Sequence, residues 1–183
     1  MGDKKIVMVI RPKHTEILPP PMNAVVGEVH AAQWGLYTKL MKASGYDEWD
    51  INHTKKWATR YLGFSWLMVF DVGDGGMTPV ASCAAAAGKI NDKNHHGSAT
   101  INGLAVLPDY RNRGIATWLI SAVVSRLQRK GYNTIWVSVH TDRPSAITAY
   151  KNAGFNNANN EFNCLYAERD DNGLHMRTVW EKY

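Results

Sequence analysis

The chain has 183 residues, 45% of them hydrophobic and 20% charged, which suits one globular domain covering residues 1–183. Its 15 glycines, 7 prolines and 10% aromatic residues exclude collagen-like, coiled-coil and disordered chains. Lysine and arginine number 21 against 16 acidic residues. The resulting net charge of +5 permits nucleic acid, an acidic surface or a phosphate-rich ligand without selecting one.

Two further features of the sequence bear on location. No apolar run reaches the ~18–20 residues that span a bilayer, and the apolar run at residues 6–10 is shorter than the core of a signal peptide. The two cysteines, Cys83 and Cys164, lack C-x-x-C spacing and lie in apolar runs, which favours reduced, buried thiols over a disulfide. We therefore expect a cytoplasmic protein that is not bound to a membrane.

In the first half of the chain, a β-branched run at residues 6–10 predicts a strand. Apolar and aromatic residues then recur at helical spacing from about residue 23 to residue 61. Because Gly45 interrupts this pattern, we predict two helices joined by a loop at residues 44–50. The next predicted elements are strands at residues 65–72 and 79–89, a hairpin turn between them at 73–76, and a loop at 90–97.

The second half alternates between strands and helices. A strand is predicted at residues 100–107, a long helix at 114–130, a strand at 134–140 and a short helix at 143–153. Glycine follows each of these helices, as is common at helix ends. The last predicted elements are an antiparallel pair of strands at 161–169 and 175–183. The order β-αα-ββ-β-α-β-α-ββ predicts a mixed α/β sheet with one parallel crossover.

The turn before the long helix has the composition of an anion site. The first turn of a helix leaves backbone N–H groups unpaired and carries partial positive charge, which favours a phosphate. Arg111 and Arg113 add charge, Gly114 lets an anion approach the backbone, and Ala116 is small. The turn lacks the Gly-Lys-Ser/Thr ending of a Walker loop, and an ordinary basic turn with a helix-initiating glycine is the alternative interpretation.

Two motifs, in this order, resemble the GNAT N-acetyltransferase superfamily. The family signature is a strand, then (Arg/Gln)-x-x-Gly-x-(Gly/Ala), a long helix and a strand, and finally a short helix ending in Ala-x-x-x-Tyr-x-x-x-Gly-Phe. Residues 104–116 read LAVLPDYRNRGIA and residues 146–155 read AITAYKNAGF. The resemblance implies the family's fold, a mixed and mostly antiparallel sheet flanked by helices, in which two parallel strands splay apart.

The resemblance also implies acetyl-CoA as cosubstrate, with its pyrophosphate on the turn at 111–117 and its pantetheine arm paired with the backbone at 104–106. A backbone N–H there would polarise the thioester carbonyl. The acetyl group would pass directly to a primary amine of a small molecule or peptide, so no cysteine nucleophile is needed. A homodimer is compatible with the resemblance. The implied cofactor-binding residues are Leu104, Ala105, Val106, Arg111, Asn112, Arg113, Gly114, Ile115, Ala116 and Thr117.

Tyr150 is the general acid that the resemblance implies for the departing thiolate. Reference pKa values of ~10 for a phenol and ~8.5 for a thiol make complete proton transfer uphill by roughly 2 kcal/mol. We therefore expect Tyr150 to donate a hydrogen bond to the charge developing on sulfur. Taken by itself, this tyrosine also fits a core position beside Ala146 and Ala153 on an amphipathic helix.

The general base is not evident from the sequence. Many relatives carry a carboxylate on the strand before the turn, where this chain offers Thr100 and Asn102. Three alternatives to such a carboxylate stay open: a water chain, a base from another element of the fold, or an amine acceptor that arrives neutral. His140 ends the strand that faces the cofactor slot, and Glu28 and His30 are predicted on the first helix, which lines the acceptor side in this family. Each of these also fits a solvated or capping side chain.

Two other functions stay open on the sequence alone. The missing carboxylate also fits a catalytically silent acyl-CoA-binding module of the same fold, and the net charge alone would fit a nucleic-acid-binding domain. We predict an acetyl-CoA-dependent N-acetyltransferase with no nucleic-acid partner. No metal is expected, because His95-His96 has no third ligand at a suitable spacing.

Overall fold

A computed structural model describes residues 5–11, 19–61, 65–73, 76–87 and 97–158, together with two later strands at 165–170 and 173–178. For Arg60, Ala87 and those last two strands, the backbone alone is described. The strands are β1 Lys5–Ile10, β2 Ala24–Glu28, β3 Ser65–Gly73, β4 Gly76–Ala87, β5 Ser98–Val106, β6 Thr134–His140, β7 Asn156–Asn157, β8 Leu165–Asp170 and β9 Gly173–Thr178. The helices are α1 Trp34–Ala43, α2 Ile51–Tyr61, α3 Ile115–Arg129 and α4 Pro144–Asn152, with 3-10 turns at Ala31–Gln33 and Pro108–Tyr110.

Seven of these strands form one sheet, in the order β2-β3-β4-β5-β6-β1-β7. The β5–β6 pair is parallel and the other neighbours are antiparallel. The chain passes from β5 to β6 through α3, which is the crossover that a parallel pair requires. The predicted mixed α/β sheet with one parallel pair is therefore confirmed. Strands β8 and β9 pair with each other in a separate two-stranded sheet.

Helices cover both faces of the large sheet. Successive side chains of a strand point to opposite faces. On β3, Leu67 and Val69 pack with the buried side of α3, whereas Trp66 and Met68 pack with α1 and α2. The α3 face also receives α4 and includes Tyr150. The sheet thus separates a layer containing the helix of the predicted anion turn from a layer rich in aromatic side chains.

The prediction of a helix beginning near residue 23 is wrong. Residues 24–28 form strand β2, which pairs with β3, and α1 begins at Trp34. Ala24 and Val26 pack on the α3 face, and Val29 packs on the other face. Val26 and Val29 are three positions apart, a spacing that also fits one face of a helix continuing into α1, so periodicity alone did not reveal the short strand.

The other predicted elements agree with the structure to within a few residues at their ends. The loop at residues 44–50 is confirmed between α1 and α2. Gly73 pairs with Gly76, which confirms the hairpin, although residues 74 and 75 lie outside the described residues. The predicted loop at 90–97 lies outside them except for Gly97, and so do residues 161–164 and 179–183 of the predicted final pair. Among the helices that the structure describes, none is both long and apolar enough to cross a membrane.

Candidate active site

The centre of the site is a gap in the sheet between β5 and β6. These strands pair at Ser98 with Thr134, at Ala99 with Ile135 and at Thr100 with Trp136. Both strands continue beyond this seam, β5 to Val106 and β6 to His140. Paired strands lie about 4.8 Å apart, so two strands that leave their ladder expose backbone N–H and C=O groups along the opening. The predicted splay of two parallel strands is confirmed here.

A β-bulge lies on β5 at the gap. Strand β4 pairs through Ser82 with Ala105 and through Ala84 with Asn102, so Gly103 and Leu104 stand opposite the single residue Cys83. Gly103 has a φ of 59°, a left-handed conformation that glycine adopts without the steric cost of a Cβ. The bulge bends β5 at the point where it leaves β6.

The edge of β5 that faces the gap belongs to Leu104 and Val106. The next residue, Leu107, donates its N–H to the carbonyl of Val80 on β4, and backbone groups alternate in direction along a strand. Two side chains reach the carbonyls on the gap side. The Tyr46 hydroxyl donates to the Leu104 carbonyl at 3.2 Å, and Arg111 Nε donates to the Val106 carbonyl at 3.2 Å. The N–H groups of Leu104 and Val106 face the same gap and can pair with an extended ligand.

The turn that opens α3 lies next to this edge. Its residues from Arg111 to Gly114 are exposed, and Gly114 precedes the helix with a φ of 78°. The Trp118 N–H donates to the Gly114 carbonyl at 3.0 Å, which is the first bond of the helix. Within the described part of the chain, the N–H groups of residues 112–117 have no backbone acceptor. These amides, the helix dipole and the open glycine fit an anionic group such as a diphosphate.

The arginines of the turn have different partners. Arg111 uses Nε for the Val106 carbonyl and Nη2 for the Ser44 carbonyl at 3.1 Å, so it ties the turn to β5 and to the end of α1. The Arg113 guanidinium lies 5.1 Å from the centre of the Tyr110 ring. Arg111 therefore acts first as a brace for the turn, a role that the sequence did not predict, and its positive charge stays beside the amides.

Tyr150 projects from α4 into the α3 face of the sheet and is 3% exposed. Helix α4 ends at Gly154, whose φ is 94°, and the Phe155 N–H donates to the Tyr150 carbonyl at 3.0 Å. This six-to-one bond is the predicted Schellman ending, and the Phe155 ring packs edge-on against Tyr150 at 5.4 Å. Burial raises the pKa of Tyr150 well above its usual value, with Cys83 and Tyr46 adding to the effect. The phenol is therefore held in its protonated, donating form.

Cys83 lies on β4 opposite the bulge and is fully buried. Burial raises the pKa of its thiol from 9.0 to about 12. A thiol with this pKa is protonated at neutral pH and is a poor nucleophile. The expectation that this cysteine is reduced and buried is confirmed, whereas Cys164 lies outside the described residues.

The residues predicted as general base or as binding residues for the acceptor do not lie together in the structure. His140 ends β6, partly exposed, four positions beyond the seam residue Trp136. Glu28 lies on β2 and not on the predicted helix; its register opposite Leu67 points it to the α3 face, where it forms an ion pair with Arg126. His30 is also outside α1, as the exposed cap of the 3-10 turn before it. The placement of Glu28 and His30 on a helix is wrong because β2 replaces its first turns, and the roles of all three residues stay predictions.

Sequence reasoning did not place three residues at the gap. Trp57 on α2 lies against Gly103, Tyr46 bonds to Leu104, and Gly103 itself forms the bulge. A glycine inside a predicted strand is a signal for a bulge or a close backbone approach and could have found Gly103. Tyr46 and Trp57 carried no such signal, because aromatic residues on helices usually belong to the core.

Comparison with known proteins agrees with this geometry. A sequence profile of the Acetyltransferase (GNAT) family matches residues 34–155. The chain therefore belongs to the GNAT acetyltransferase family. A crystal structure of a GCN5-related N-acetyltransferase from Sphaerobacter thermophilus matches with a TM-score of 0.69 over 84% of this chain and 48% of that one, at 19% identity. That likeness shows the same fold.

Two relatives by sequence are also N-acetyltransferases. The [ribosomal protein bS18]-alanine N-acetyltransferase of Escherichia coli strain K12 is 35% identical over 60 residues, which are 33% of this chain and 40% of that protein. An uncharacterized N-acetyltransferase of Methanocaldococcus jannaschii is 32% identical over 125 residues, 66% of this chain and 53% of its own length. The chain thus matches about half or less of the length of these relatives.

Proposed function

We propose that this protein transfers the acetyl group of acetyl-CoA directly to a primary amine, within a complex that holds both substrates. One observation carries the proposal: the unpaired amides at the start of α3 lie beside the open edge of β5, because Arg111 in the same turn bonds to the Val106 carbonyl at that edge of the gap. Tyr150 belongs to α4, the helix that follows β6 on the other side of the gap. An elongated thioester with a diphosphate at one end matches this order of groups. Family membership supports the same conclusion.

Each part of the gap has a task in this proposal. The amides of residues 112–117 would hold the diphosphate, and the edge of Leu104 and Val106 would pair with the amide groups of the pantetheine arm. One of these backbone N–H groups would donate to the thioester carbonyl oxygen, where negative charge develops during attack. Acetyl-CoA supplies an acyl carbon that is activated by a thiol leaving group.

The transfer balances without a covalent enzyme intermediate. The amine nitrogen forms a bond to the acyl carbon as the carbon–sulfur bond breaks, the amine loses one proton, and the sulfur leaves as coenzyme A. Tyr150 donates a hydrogen bond to that sulfur. Because burial raises the pKa of Tyr150 further above that of a thiol, complete proton transfer is even less favourable than for a free phenol, and the proton on sulfur comes finally from solvent.

The amine must reach the acyl carbon without its extra proton. His140 is the proposed proton acceptor, since it stands at the end of β6 beyond the seam and a neutral imidazole nitrogen can accept a proton. The amine would approach from the layer of α1 and α2, where Tyr46, Trp49 and Trp57 are half-buried aromatic side chains. The proposed location is the cytoplasm, because Cys83 is a free buried thiol.

For the amine acceptor we propose two candidate classes. The name of the Escherichia coli relative, an alanine N-acetyltransferase of a ribosomal protein, favours the amino end of a peptide. A small-molecule amine is the other candidate. A panel with both kinds of acceptor therefore belongs in the first experiment.

The test is release of free thiol from acetyl-CoA with this panel, alongside thermal unfolding with and without acetyl-CoA. The proposal predicts thiol release that depends on one amine, and a higher unfolding temperature with acetyl-CoA. Thermal protection without thiol release across the panel would instead indicate the silent acyl-CoA-binding module. The lack of activity would then be explained by Thr100 and Asn102, which stand where many relatives carry a carboxylate. If acetyl-CoA gave no thermal protection and no amine gave thiol release, the proposal would be refuted.

A further inference from the structure

Tyr46 is held at a defined place by the end of α1. Gly45 follows the helix with a φ of 94°, and its N–H donates to the Lys42 carbonyl at 3.0 Å. The Tyr46 N–H donates to the Met41 carbonyl at 3.1 Å, which completes a Schellman motif. Arg111 Nη2 bonds to the Ser44 carbonyl in the same corner. The backbone that carries Tyr46 is therefore fixed from both sides.

The Tyr46 side chain bridges two layers of the fold. Its ring packs edge-on against Trp49 at 6.0 Å, and the guanidinium of Arg143, the N-cap residue of α4, lies 4.9 Å from the ring centre. These contacts fix the plane of the ring. The hydroxyl at the far end of the ring donates to the Leu104 carbonyl at 3.2 Å.

Leu104 needs such a restraint. It lies in the bulge, where two residues of β5 stand opposite one residue of β4 and the ladder is disrupted. In extended backbone, the carbonyl and the N–H of one residue point to the same side. A hydrogen bond that holds the Leu104 carbonyl therefore also aims the Leu104 N–H into the gap.

We propose that Tyr46 is a positioning residue for acyl transfer, which holds Leu104 through its carbonyl so that the Leu104 N–H is aimed at the oxygen of the thioester. The inference rests on the proposed function. It assigns Tyr46 to the reaction step and not to the binding of acetyl-CoA, because the diphosphate and the outer part of the ligand would be held elsewhere, at residues 112–117.

The experiment compares Tyr46→Phe with Tyr37→Phe. Tyr46→Phe keeps the ring and its contacts with Arg143 and Trp49 and deletes the bond to Leu104. Tyr37 is buried in the same aromatic layer, and its hydroxyl bonds to no backbone group among the described residues, so Tyr37→Phe is the matched hydroxyl deletion. For each protein, kcat, the KM for acetyl-CoA and the unfolding temperature are measured.

For Tyr46→Phe we expect a kcat on the order of 10-fold lower, from a donor that is no longer aimed, with the KM for acetyl-CoA within about twofold. Tyr37→Phe should match the wild type. A wild-type kcat in Tyr46→Phe, or an equal loss in both variants, would overturn the inference. Absence of thiol release from the wild-type protein with every amine would refute the proposed function, and the inference would fall with it.

Discussion

The indole of Trp57 occupies the space that a side chain at residue 103 would need. Its Cζ2 atom lies 2.6 Å from the position of a Cβ built on Gly103. Helix α2 can therefore approach β5 closely because the bulge residue is a glycine. This contact fixes the distance between the aromatic layer and the edge of β5 that faces the gap.

Gly103→Ala is predicted to destabilise the fold and to reduce transferase activity. Alanine at a φ of 59° costs about 1–2 kcal/mol, and Trp57 must also move. The control is Gly35→Ala in α1, where a Cβ meets nothing within 4 Å and should stabilise the helix by about 0.5–1 kcal/mol. Urea unfolding and thiol release measure both variants. A Gly103→Ala protein as stable as the wild type would show that the bulge does not need glycine.

Gly114→Leu is predicted to weaken acetyl-CoA binding by much more than Gly131→Leu. The two glycines flank α3 and have similar φ values, 78° and 89°, so the strain of a leucine is comparable. They differ in place, because Gly114 borders the unpaired amides and Gly131 lies at the far end of the helix. Calorimetric titration with coenzyme A compares them. Equal affinities in the two variants would remove the α3 turn from the binding site.

Tyr150→Phe is predicted to lower kcat on the order of 10²-fold while leaving the affinity for acetyl-CoA nearly unchanged. The ring and its contact with Phe155 stay, so the loss isolates the hydroxyl. Because burial raises the pKa of Tyr150 well above 10, its ionisation should produce no fall in the wild-type rate up to pH 10. Steady-state rates over this pH range test both statements. Unchanged turnover in Tyr150→Phe would remove the phenol from the mechanism.

Cys83→Ala is predicted to flatten the loss of stability at high pH. Burial raises the pKa of Cys83 from 9.0 to about 12, so below pH 9 the thiol is protonated in both the folded and the unfolded chain. Between pH 9 and pH 12, the unfolded chain releases this proton and the folded chain retains it. Stability then falls by about 1.4 kcal/mol per pH unit from this group alone.

The measurement is the free energy of unfolding of both proteins as a function of pH. The comparison uses slopes, because the alanine variant loses some packing at every pH. The slopes are taken between pH 9 and pH 10, where Tyr37 and Tyr150 of the folded chain stay protonated because burial is the main cause of their raised pKa. Parallel curves above pH 9 would show that the Cys83 thiol ionises as readily in the folded chain as in the unfolded one.

The sequence predicted those parts of the fold whose signals are local. The helix from Ile115 to Arg129 shows a clear apolar period, and it ends at Gly131 as a Schellman motif. The same local chemistry ends α4 at Gly154. The prediction failed at β2, because the strand is set by pairing with β3, which comes some forty positions later in the chain. Pairing between segments that are distant in sequence cannot be detected in the local pattern of apolar residues.

The candidate site divides in the same way. The turn at Gly114 and the phenol of Tyr150 could be predicted, since both belong to short motifs around helix ends. The brace formed by Arg111 and the hydroxyl of Tyr46 could not, because each joins segments that are far apart in sequence. Glu28 was misplaced because β2 was not predicted. It meets Arg126 because it lies on the α3 side of a strand, and a helix in its place would have oriented it differently.

The short parallel seam divides the large sheet into two antiparallel panels, β2-β3-β4-β5 and β6-β1-β7. A slit that is closed at one end and widens toward the other selects molecules by cross-section. A slender, unbranched ligand can lie along the full length of the slit, whereas a bulky or branched ligand would fit only if the two panels separated.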